Sequence, residues 1–269
     1  MLKLTDDDFM RLVAFVKTNY GINLEKKRIL IEGRLTNRVV EQGYTEFKPY
    51  LDKVFKEPTG EEMIALVNKL TTNHTYFLRE PEHFEYLKNV VLPYIEENVT
   101  DHDVRIWCAA ASTGQEPYTL AMIVDEYFGS KKSMWDCKIL ATDISTDVLT
   151  KAKAGIYTAD MVKDVPATWL TKYFNKIDAN TYQVTEKIRK EVIYRQFNLM
   201  DKIVYKKPFD LVSCRNVMIY FDQDTKSDLI ERIYDTIKPG GYFFIGHAEN
   251  VQKSTRFTFI KPAIYRKRK

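Results

Sequence analysis

From residue 104 onward, short apolar runs alternate with helical patterns, and this alternation limits the possible folds more than any other feature of the sequence. The apolar runs lie at 104–109, 138–142, 192–197, 209–213 and 242–246. Helical periodicity lies between them at 117–128, 146–154 and 225–237, the last followed by KPGG, a typical helix-ending sequence. Strands that alternate with helices predict a parallel sheet covered by helices, so we expect an α/β fold.

Two stretches of this part do not fit the alternation. Residues 257–266 alternate in hydrophobicity and contain Pro262, which an edge strand tolerates, so an antiparallel edge strand is predicted there. Residues 160–192 are more polar, and NTYQVTEKIRKEVIYRQ is typical of a hairpin. We therefore predict a small antiparallel β insertion at about 172–192.

The first 70 residues show helical periodicity almost throughout. Thr5 and Asp8 form a capping-box-like pair before the first apolar stripe, and Gly43 is placed to end a second helix over 25–42. Further helical stretches lie at 47–55 and 61–70. The sequence thus predicts a small all-helical domain at 1–70 and a larger α/β domain at 71–269.

Charge and cysteine content exclude several classes of protein. The 41 basic and 37 acidic side chains give a net charge of only +4, too small an excess to indicate nucleic-acid or membrane binding. Three cysteines without metal-ligand spacing support neither a disulfide framework nor a zinc site. The N-terminus is acidic, and no apolar run approaches the length of a membrane span. We expect a cytoplasmic protein without a metal.

The stretch CAAASTGQEPYTLAM, residues 108–122, marks the expected ligand site. It reads as a strand end, a turn with the single glycine Gly114, and a helix start, the place where open α/β sheets bind ligands. A dinucleotide brings a pyrophosphate, which is usually held by several glycines. Small residues without that glycine pattern fit a ligand without phosphates, and S-adenosylmethionine, with an amino acid head, a sulfonium, a ribose and an adenine, is such a ligand.

Two acidic residues suit the polar parts of this cofactor. Glu116, at the start of the helix, is placed to meet the ammonium, and Asp143, at the end of the next strand, is placed to bind the ribose hydroxyls. Each has an ordinary alternative. Asp143 would also suit the cap of the following helix, and Glu116 would also suit a first helical turn, where the helix dipole favours an acid.

Four separated stretches resemble one family in the right order: LTTNHTYFLREPEHF (70–84), WCAAASTGQEPYTLAMIV (107–124), FNLMD (197–201) and SCRNVMIYFD (213–222). They are similar to the chemotaxis receptor glutamate O-methyltransferases, the CheR family, and GINLEKKRILIEGRLTNRV resembles that family's helical domain. The resemblance implies a class I S-adenosylmethionine-dependent methyltransferase with a Rossmann-like sheet. It further implies methyl transfer to glutamate side chains of chemoreceptors, forming methyl esters and S-adenosylhomocysteine.

The resemblance also implies roles for individual residues. Arg79 and Tyr220 would position the substrate and the reacting methyl group, although Tyr220 also suits a core aromatic. The other implied cofactor contacts are Asn73, Thr75 and Arg79 at the methionine part, Glu116 and Asp143 as above, Asn198 and Leu199 at the adenine, and Arg215 and Asn216 after the fourth strand.

A basic stretch in the helical domain is the candidate docking face for the acidic helices of a receptor. Residues 26–38 contain five basic side chains and one acid, and Lys27, Arg34 and Arg38 share a helix face. A solvated helix face is the alternative, since residues 1–70 hold 12 basic and 11 acidic side chains. Because family members that dock on a receptor tether carry a glycine-bearing loop where residues 178–192 lack one, we expect no tether. We expect a monomer.

Two other functions stay open from the sequence. Another class I methyltransferase, acting on nucleic acid or an amine, would suit the basic C-terminal YRKRK. Adenine methylation, however, usually uses a proline pair after the fourth strand, and this chain has RNVMIYF there. The second is a signalling module that binds the cofactor without catalysis, and the retention of Arg79 and Tyr220 weighs against it.

Overall fold

The fold was analysed in a computed structural model that describes residues 1–58, 60–251 and 256–269. The first 70 residues form a helical unit with its own apolar core, which includes Leu12, Ile31 and Leu35. Its helices are α1 (Asp6–Tyr20), α2 (Arg28–Glu41), α3 (Phe47–Lys56) and α4 (Glu61–Leu70). Helix α2 begins three residues later than the sequence predicts, and the other three helices lie where they are expected.

The ends of the first two helices follow the local sequence signals. The hydroxyl of Thr5 accepts a hydrogen bond from the Asp8 amide (3.1 Å) and donates one to the Asp8 carboxylate (2.7 Å). Such an N-cap stabilises a helix by about 1 kcal/mol. Gly43, just after α2, has a φ of 82°, which glycine adopts without strain. Both capping predictions are confirmed.

The larger unit contains, among the described residues, a mixed sheet of seven strands in the order β6-β2-β1-β7-β8-β10-β9. The strands from β6 to β8 are parallel, and β10 is antiparallel to both of its neighbours. Their bounds are β1 (Ile106–Cys108), β2 (Ile139–Asp143), β6 (Val192–Gln196), β7 (Phe209–Cys214), β8 (Ile237–Ile245), β9 (Thr258–Lys261) and β10 (Ile264–Arg266). The predicted α/β class is confirmed.

Helices cover both faces of this sheet. Alternate residues of the central strands enter two separate cores: Ile106 and Cys108 pack in one, and Trp107 packs in the other. The helices are α5 (Pro81–Tyr86), α6 (Leu92–Asn98), α7 (Gln115–Phe128), α8 (Thr146–Ala154), α9 (Ala167–Tyr173), α10 (Glu186–Arg189) and α11 (Gln223–Thr236). A π-helical turn at Leu87–Val91 joins α5 to α6, and short 3-10 turns lie at Gly129–Met134, Asp160–Val162 and Met218–Tyr220.

The C-terminal part of the sheet differs from the prediction in two places. The KPGG segment, which comes just after α11, lies inside β8, where the pairing with β7 shifts register and Gly240 has a φ of 80°. The predicted single edge strand at 257–266 is a hairpin, because Pro262 and Ala263 (φ 62°) turn the chain between β9 and β10. Of the two strands of this hairpin, β9 lies at the edge of the sheet and β10 lies inside it.

A second, antiparallel sheet of three strands lies beside the main one. Its order is β3-β5-β4, with β3 at Ile156–Thr158, β4 at Phe174–Lys176 and β5 at Thr181–Val184. The small antiparallel sheet is thus present, and it recruits β3 from before the predicted 172–192 segment. We call these three strands the small sheet.

The helical unit contacts the larger unit through the segment after α1. The Asn23 amide donates to the Tyr220 carbonyl (2.8 Å), Ile22 bridges Phe221, and the Lys17 ammonium lies 3.0 Å from the Asp222 carboxylate. These contacts bring residues 20–24 over the carboxyl ends of the parallel strands.

Among the helices that the structure describes, none has the length and apolarity needed to cross a bilayer.

Candidate functional site

A cavity of about 350 Å³ lies at the carboxyl ends of the parallel strands, between the helical unit and the sheet. Its volume is within the usual range for small-molecule sites. Every site residue that the sequence predicts lines it except Arg38. These lining residues are Lys27, Arg34, Asn73, Thr75, Arg79, Glu116, Asp143, Asn198, Leu199, Arg215, Asn216 and Tyr220.

Residues 109–114, which we call the glycine turn, form the floor of the cavity between β1 and α7. Ser112 and Gly114 both have positive φ, 47° and 96°. For a residue with a Cβ, such as Ser112, this conformation costs about 1–2 kcal/mol and persists only where its surroundings hold it. The Ser112 amide donates to the Asp143 carboxylate (2.8 Å), and the Ser112 hydroxyl donates to the Asn73 carbonyl (2.9 Å).

Asp143 ends β2 at the rim of the cavity and is largely buried. Burial raises the pKa of its carboxyl group above the ordinary value, although backbone amides of Ser145 and Ser112 act in the opposite direction. Each carboxylate oxygen accepts one of those amides, which leaves acceptor positions for a ligand hydroxyl. The N-cap of α8 is Ser145, whose hydroxyl accepts from the Val148 amide, so Asp143 does not serve as that cap.

A buried charge network connects the end of β7 to the N-terminal ends of α5 and α7. The Arg215 side chain is 1% exposed and lies between two carboxylates, with Nη1 donating to Glu116 (3.0 Å) and Nη2 lying 3.3 Å from Glu80. Nη2 also donates to the Arg79 carbonyl. Glu116 accepts a further hydrogen bond from the Ser213 hydroxyl (2.6 Å). Oε1 of Glu116 accepts from the Ser213 hydroxyl and from the Cys108 thiol (3.5 Å). Oε2 accepts from Arg215, so acceptor capacity for an ammonium remains on Oε2.

Asn216 lies next to this network in a left-handed conformation (φ 57°). Its side-chain amide donates to Glu80 (3.0 Å), and its backbone amide donates to Glu249 (3.0 Å). Gly246 contacts it so closely that an added Cβ would lie 2.3 Å from the Asn216 side-chain nitrogen. Burial raises the pKa of Glu249, although the backbone amides of Gly246, Asn216, Met218 and Ile219 act in the opposite direction.

Arg79 and Tyr220, the predicted substrate-positioning pair, both line the cavity from opposite chain segments. The Arg79 guanidinium donates to the His74 carbonyl (2.8 Å) and lies over the Tyr76 ring at 5.7 Å. Tyr220 ends a 3-10 turn and is partly exposed. The Arg79 guanidinium and the Tyr220 phenol therefore lie at the mouth of the cavity, whereas the Arg215 network lies deeper in it.

The two residues predicted at the adenine have different surroundings. Leu199 is buried, lines the cavity and packs in the core that contains Trp107. The Asn198 side-chain amide donates to the Asn19 carbonyl (2.7 Å), and its oxygen accepts from the Met200 amide (3.0 Å). Asn198 thus holds the end of α1 against the cavity, a contact that the sequence does not reveal.

The three predicted docking residues do not form one free basic face. Arg34 donates to the carbonyls of Leu70 (2.9 Å) and Thr71 (3.0 Å) at the end of α4, and Arg38 forms an ion pair with Glu62. Lys27 is exposed at the start of α2, beside the cavity. Of the three, Lys27 is the one placed to reach an external partner.

Sequence reasoning missed Glu80, Ser112, Ser213 and Glu249. Glu80 and Glu249 both lie inside stretches that stand out in the sequence, REPEHF and GHAEN. The sequence does not show which way their side chains point. In the structure both carboxylates point inward and contact Arg215, Asn216 and backbone amides.

Glu80, His83 and His247 form a cluster whose side-chain atoms lie within 4.8 Å of one another in the described part of the chain. The Glu80 carboxylate accepts a hydrogen bond from the Asn216 side-chain amide and lies beside the Arg215 guanidinium. Its negative charge is therefore already paired with an arginine of the protein. Burial and the Arg215 charge lower the pKa of His83 to about 4. His83 is therefore neutral at pH 7. Because the Arg215 guanidinium and the Asn216 amide already pair with Glu80, we assign no metal to this cluster.

The low pKa of His83 predicts a pH dependence of stability. In the unfolded chain a histidine takes up its proton near pH 6.5, whereas in the folded protein His83 does so only near pH 4. Stability is therefore lost as the pH falls from about 6.5 to 4, by up to about 3 kcal/mol. We expect the unfolding free energy of the wild type to fall over this interval more steeply than that of His83→Gln, measured by urea denaturation. The exposed His102→Gln should keep the wild-type slope, and equal slopes for all three proteins would contradict the assignment.

The sheet order, with β10 as an antiparallel strand beside the parallel ones, and the cavity at the carboxyl ends of the parallel strands are typical of a class I S-adenosylmethionine-dependent methyltransferase. Family comparisons agree. Residues 73–265 match the family model "CheR methyltransferase, SAM binding domain", and residues 7–71 match "CheR methyltransferase, all-alpha domain".

Curated relatives cover almost the whole chain. A "Chemotaxis protein methyltransferase" of Borreliella burgdorferi is 41% identical over 99% of this chain and 96% of its own. The protein of that name from Escherichia coli is 35% identical, with 98% and 92% covered, and "Chemotaxis protein methyltransferase 2" of Vibrio cholerae is 34% identical, with 96% and 90% covered. The chain belongs to the CheR methyltransferase family.

Proposed function

We propose that the protein transfers the methyl group of S-adenosylmethionine to glutamate side chains of chemoreceptors, giving methyl esters and S-adenosylhomocysteine during adaptation. The observation that supports this most strongly is the near full-length match to chemotaxis protein methyltransferases, together with a cavity lined by Glu116 and Asp143, two acids that suit the ammonium and the ribose hydroxyls of the cofactor. The bound cofactor supplies an electrophilic methyl group on a sulfonium.

The residues of the site suit a reaction that needs positioning more than acid–base chemistry. A glutamate carboxylate with a pKa of about 4.3 is already ionised at neutral pH and needs no general base. Alignment of the carboxylate with the methyl group can account for roughly 7–11 kcal/mol of the barrier. Arg79 is placed to orient one carboxylate oxygen while the other attacks, and the Tyr220 hydroxyl is placed to line the path of the methyl group.

The proposal is tested by incubating the protein with radiolabelled S-adenosylmethionine and either receptor cytoplasmic fragments or nucleic acid. Label that enters the receptor and leaves it in mild base identifies a carboxyl methyl ester. Label on nucleic acid would support the alternative methyltransferase, and cofactor binding without any transfer would support the non-catalytic module. Either of these outcomes would overturn the proposal.

Arg79→Ala and Tyr220→Phe are expected to lower the single-turnover rate at saturating cofactor, by about 100-fold and about 10-fold, because each loosens the alignment of the reacting atoms. Rapid-quench measurement of methyl ester formation on a receptor fragment gives these rates. Arg195→Ala serves as the matched arginine control, because Arg195 lies on β6, the edge strand of the parallel part of the sheet. If both site variants retained the wild-type rate, the assigned roles of Arg79 and Tyr220 would be wrong.

We propose further that Lys27 contacts the receptor directly, and that Arg34 and Arg38 contribute to docking only by holding α2 against α4. Exposed charges are screened by salt, so the KM for the receptor should rise several-fold between about 50 mM and 300 mM NaCl. Lys27→Ala should remove part of this salt dependence. Arg38→Ala breaks the ion pair with Glu62 and should mainly lower stability. A KM that does not change with salt would exclude electrostatic docking.

Four finer expectations belong to the same proposal. The protein acts in the cytoplasm, at receptor arrays on the inner face of the membrane, where the methylated helices lie. It acts as a monomer and without a metal. It needs no receptor tether, so removal of a receptor's C-terminal pentapeptide should leave its methylation rate unchanged.

A further inference from the structure

Tyr157 lies where the small sheet meets the glycine turn. It is the central residue of β3, it is 2% exposed, and its hydroxyl donates to the Thr113 carbonyl at 2.8 Å. Thr113 lies between Ser112 and Gly114, the two residues of the turn with positive φ. A side chain of the small sheet thus provides a hydrogen bond to the glycine turn, in addition to those that Ser112 forms with Asp143 and Asn73.

The absence of a side chain at Gly114 makes this contact possible. A Cβ at Gly114 would lie 2.9 Å from the hydroxyl oxygens of both Tyr157 and Tyr194, and 3.0 Å from the Cβ of Ala152. The two phenols therefore pack directly against the turn. The single glycine of the sequence motif serves this packing as well as the cavity.

The small sheet also contacts the other segment that lines the cavity. The Tyr157 ring packs edge-on against Phe77 at 4.9 Å, and Phe77 packs against Phe174 of β4 at 5.5 Å. Phe77 lies between Thr75 and Arg79, both of which line the cavity. Two strands of the small sheet thus fix both the glycine turn and residues 75–79.

We propose that Tyr157 is a positioning residue that couples the small sheet to the cofactor site. Its hydroxyl holds the glycine turn in the conformation that fits the amino acid part of S-adenosylmethionine, so cofactor binding and ordering of the small sheet favour each other. Coupling of this kind is reciprocal, and whatever orders the small sheet raises the affinity for the cofactor by the same factor. The inference rests on the proposed use of this cofactor.

Tyr157→Phe tests the proposal, with Tyr182→Phe as the matched control. Tyr182 pairs with Tyr157 across the strands β3 and β5 but is only partly buried, so the control removes a phenol hydroxyl from the same small sheet. Calorimetry with S-adenosylhomocysteine should give a Kd about tenfold higher for Tyr157→Phe, because the variant leaves the Thr113 carbonyl unpaired. Tyr182→Phe should stay within twofold of the wild type.

Hydrogen exchange provides the readout that a purely structural role would not change. In the wild type, S-adenosylhomocysteine should slow exchange at the amides of β3 and β5, and in Tyr157→Phe this protection should be much reduced. An unchanged Kd in Tyr157→Phe, or equal protection in both proteins, would overturn the coupling while leaving the cofactor assignment intact. A wild-type protein that bound no S-adenosylhomocysteine would overturn both.

Discussion

Replacement of Arg215 by methionine is expected to lower the free energy of unfolding by about 3–5 kcal/mol, because removal of one partner of a buried ion network leaves the others uncompensated. The guanidinium is 1% exposed and separates Glu116 and Glu80, whose side chains are 12% and 14% exposed. Methionine fills a similar length without charge. The variant should also lose affinity for S-adenosylhomocysteine, since the Glu116 carboxylate would no longer be held in place. Urea denaturation and calorimetry measure the two effects.

Two further variants make this expectation specific to the network. Arg268→Met replaces an exposed arginine and should change the unfolding free energy by less than about 0.5 kcal/mol. Adding Glu80→Gln to Arg215→Met removes one of the two unpaired carboxylates and should restore part of the lost stability. If Arg215→Met were as stable as Arg268→Met, the buried guanidinium would not organise the site.

The Arg215 network also illustrates what the sequence could not predict. Apolar periodicity located every strand of the parallel sheet. The central strands β1 and β7 are buried on both faces and are largely apolar runs, whereas the edge strand β6 alternates the buried Val192 and Tyr194 with exposed residues. This periodicity could not pair Arg215 with Glu80, which lies 135 residues earlier in the chain. The stretches that resemble the family named Arg79, Glu116, Arg215 and Asn216 as one set. Which of them contact a ligand and which contact each other depends on side-chain direction, which no spacing rule supplies.

The wrong prediction for the KPGG segment has a different cause. Proline and glycine usually end a helix, and α11 does end at Thr236, so the local signal was correct. The next strand, however, begins at once at Ile237, and a shift in register against β7 accommodates Pro239 and Gly240. A register shift depends on the partner strand, and the local sequence therefore located the helix end but not the strand start.

Glu249→Ala is expected to lower methyl transfer about 100-fold or more with a smaller loss of cofactor affinity. The carboxylate accepts hydrogen bonds from the amides of Gly246 (2.6 Å), Asn216 (3.0 Å) and Ile219 (3.2 Å), so it fixes the backbone that ends at Tyr220. Without it these amides lose their acceptor, and a shift of about 1 Å in a positioning group can cost about 100-fold in rate. Single-turnover transfer to a receptor fragment measures the effect.

A graded series separates this support from a general loss of stability. Glu249→Gln keeps one oxygen acceptor but turns an NH₂ group toward backbone donors, so its rate should lie between those of the wild type and Glu249→Ala. Glu231→Ala, which removes an exposed ion pair on α11, should retain the wild-type rate. Because the three amides hold the segment that carries Asn216 and Tyr220, the order wild type, Gln, Ala should appear in the rate at saturating cofactor. The same rate for Glu249→Ala and Glu231→Ala would show that Tyr220 is positioned by its own turn and by its contact with Asn23.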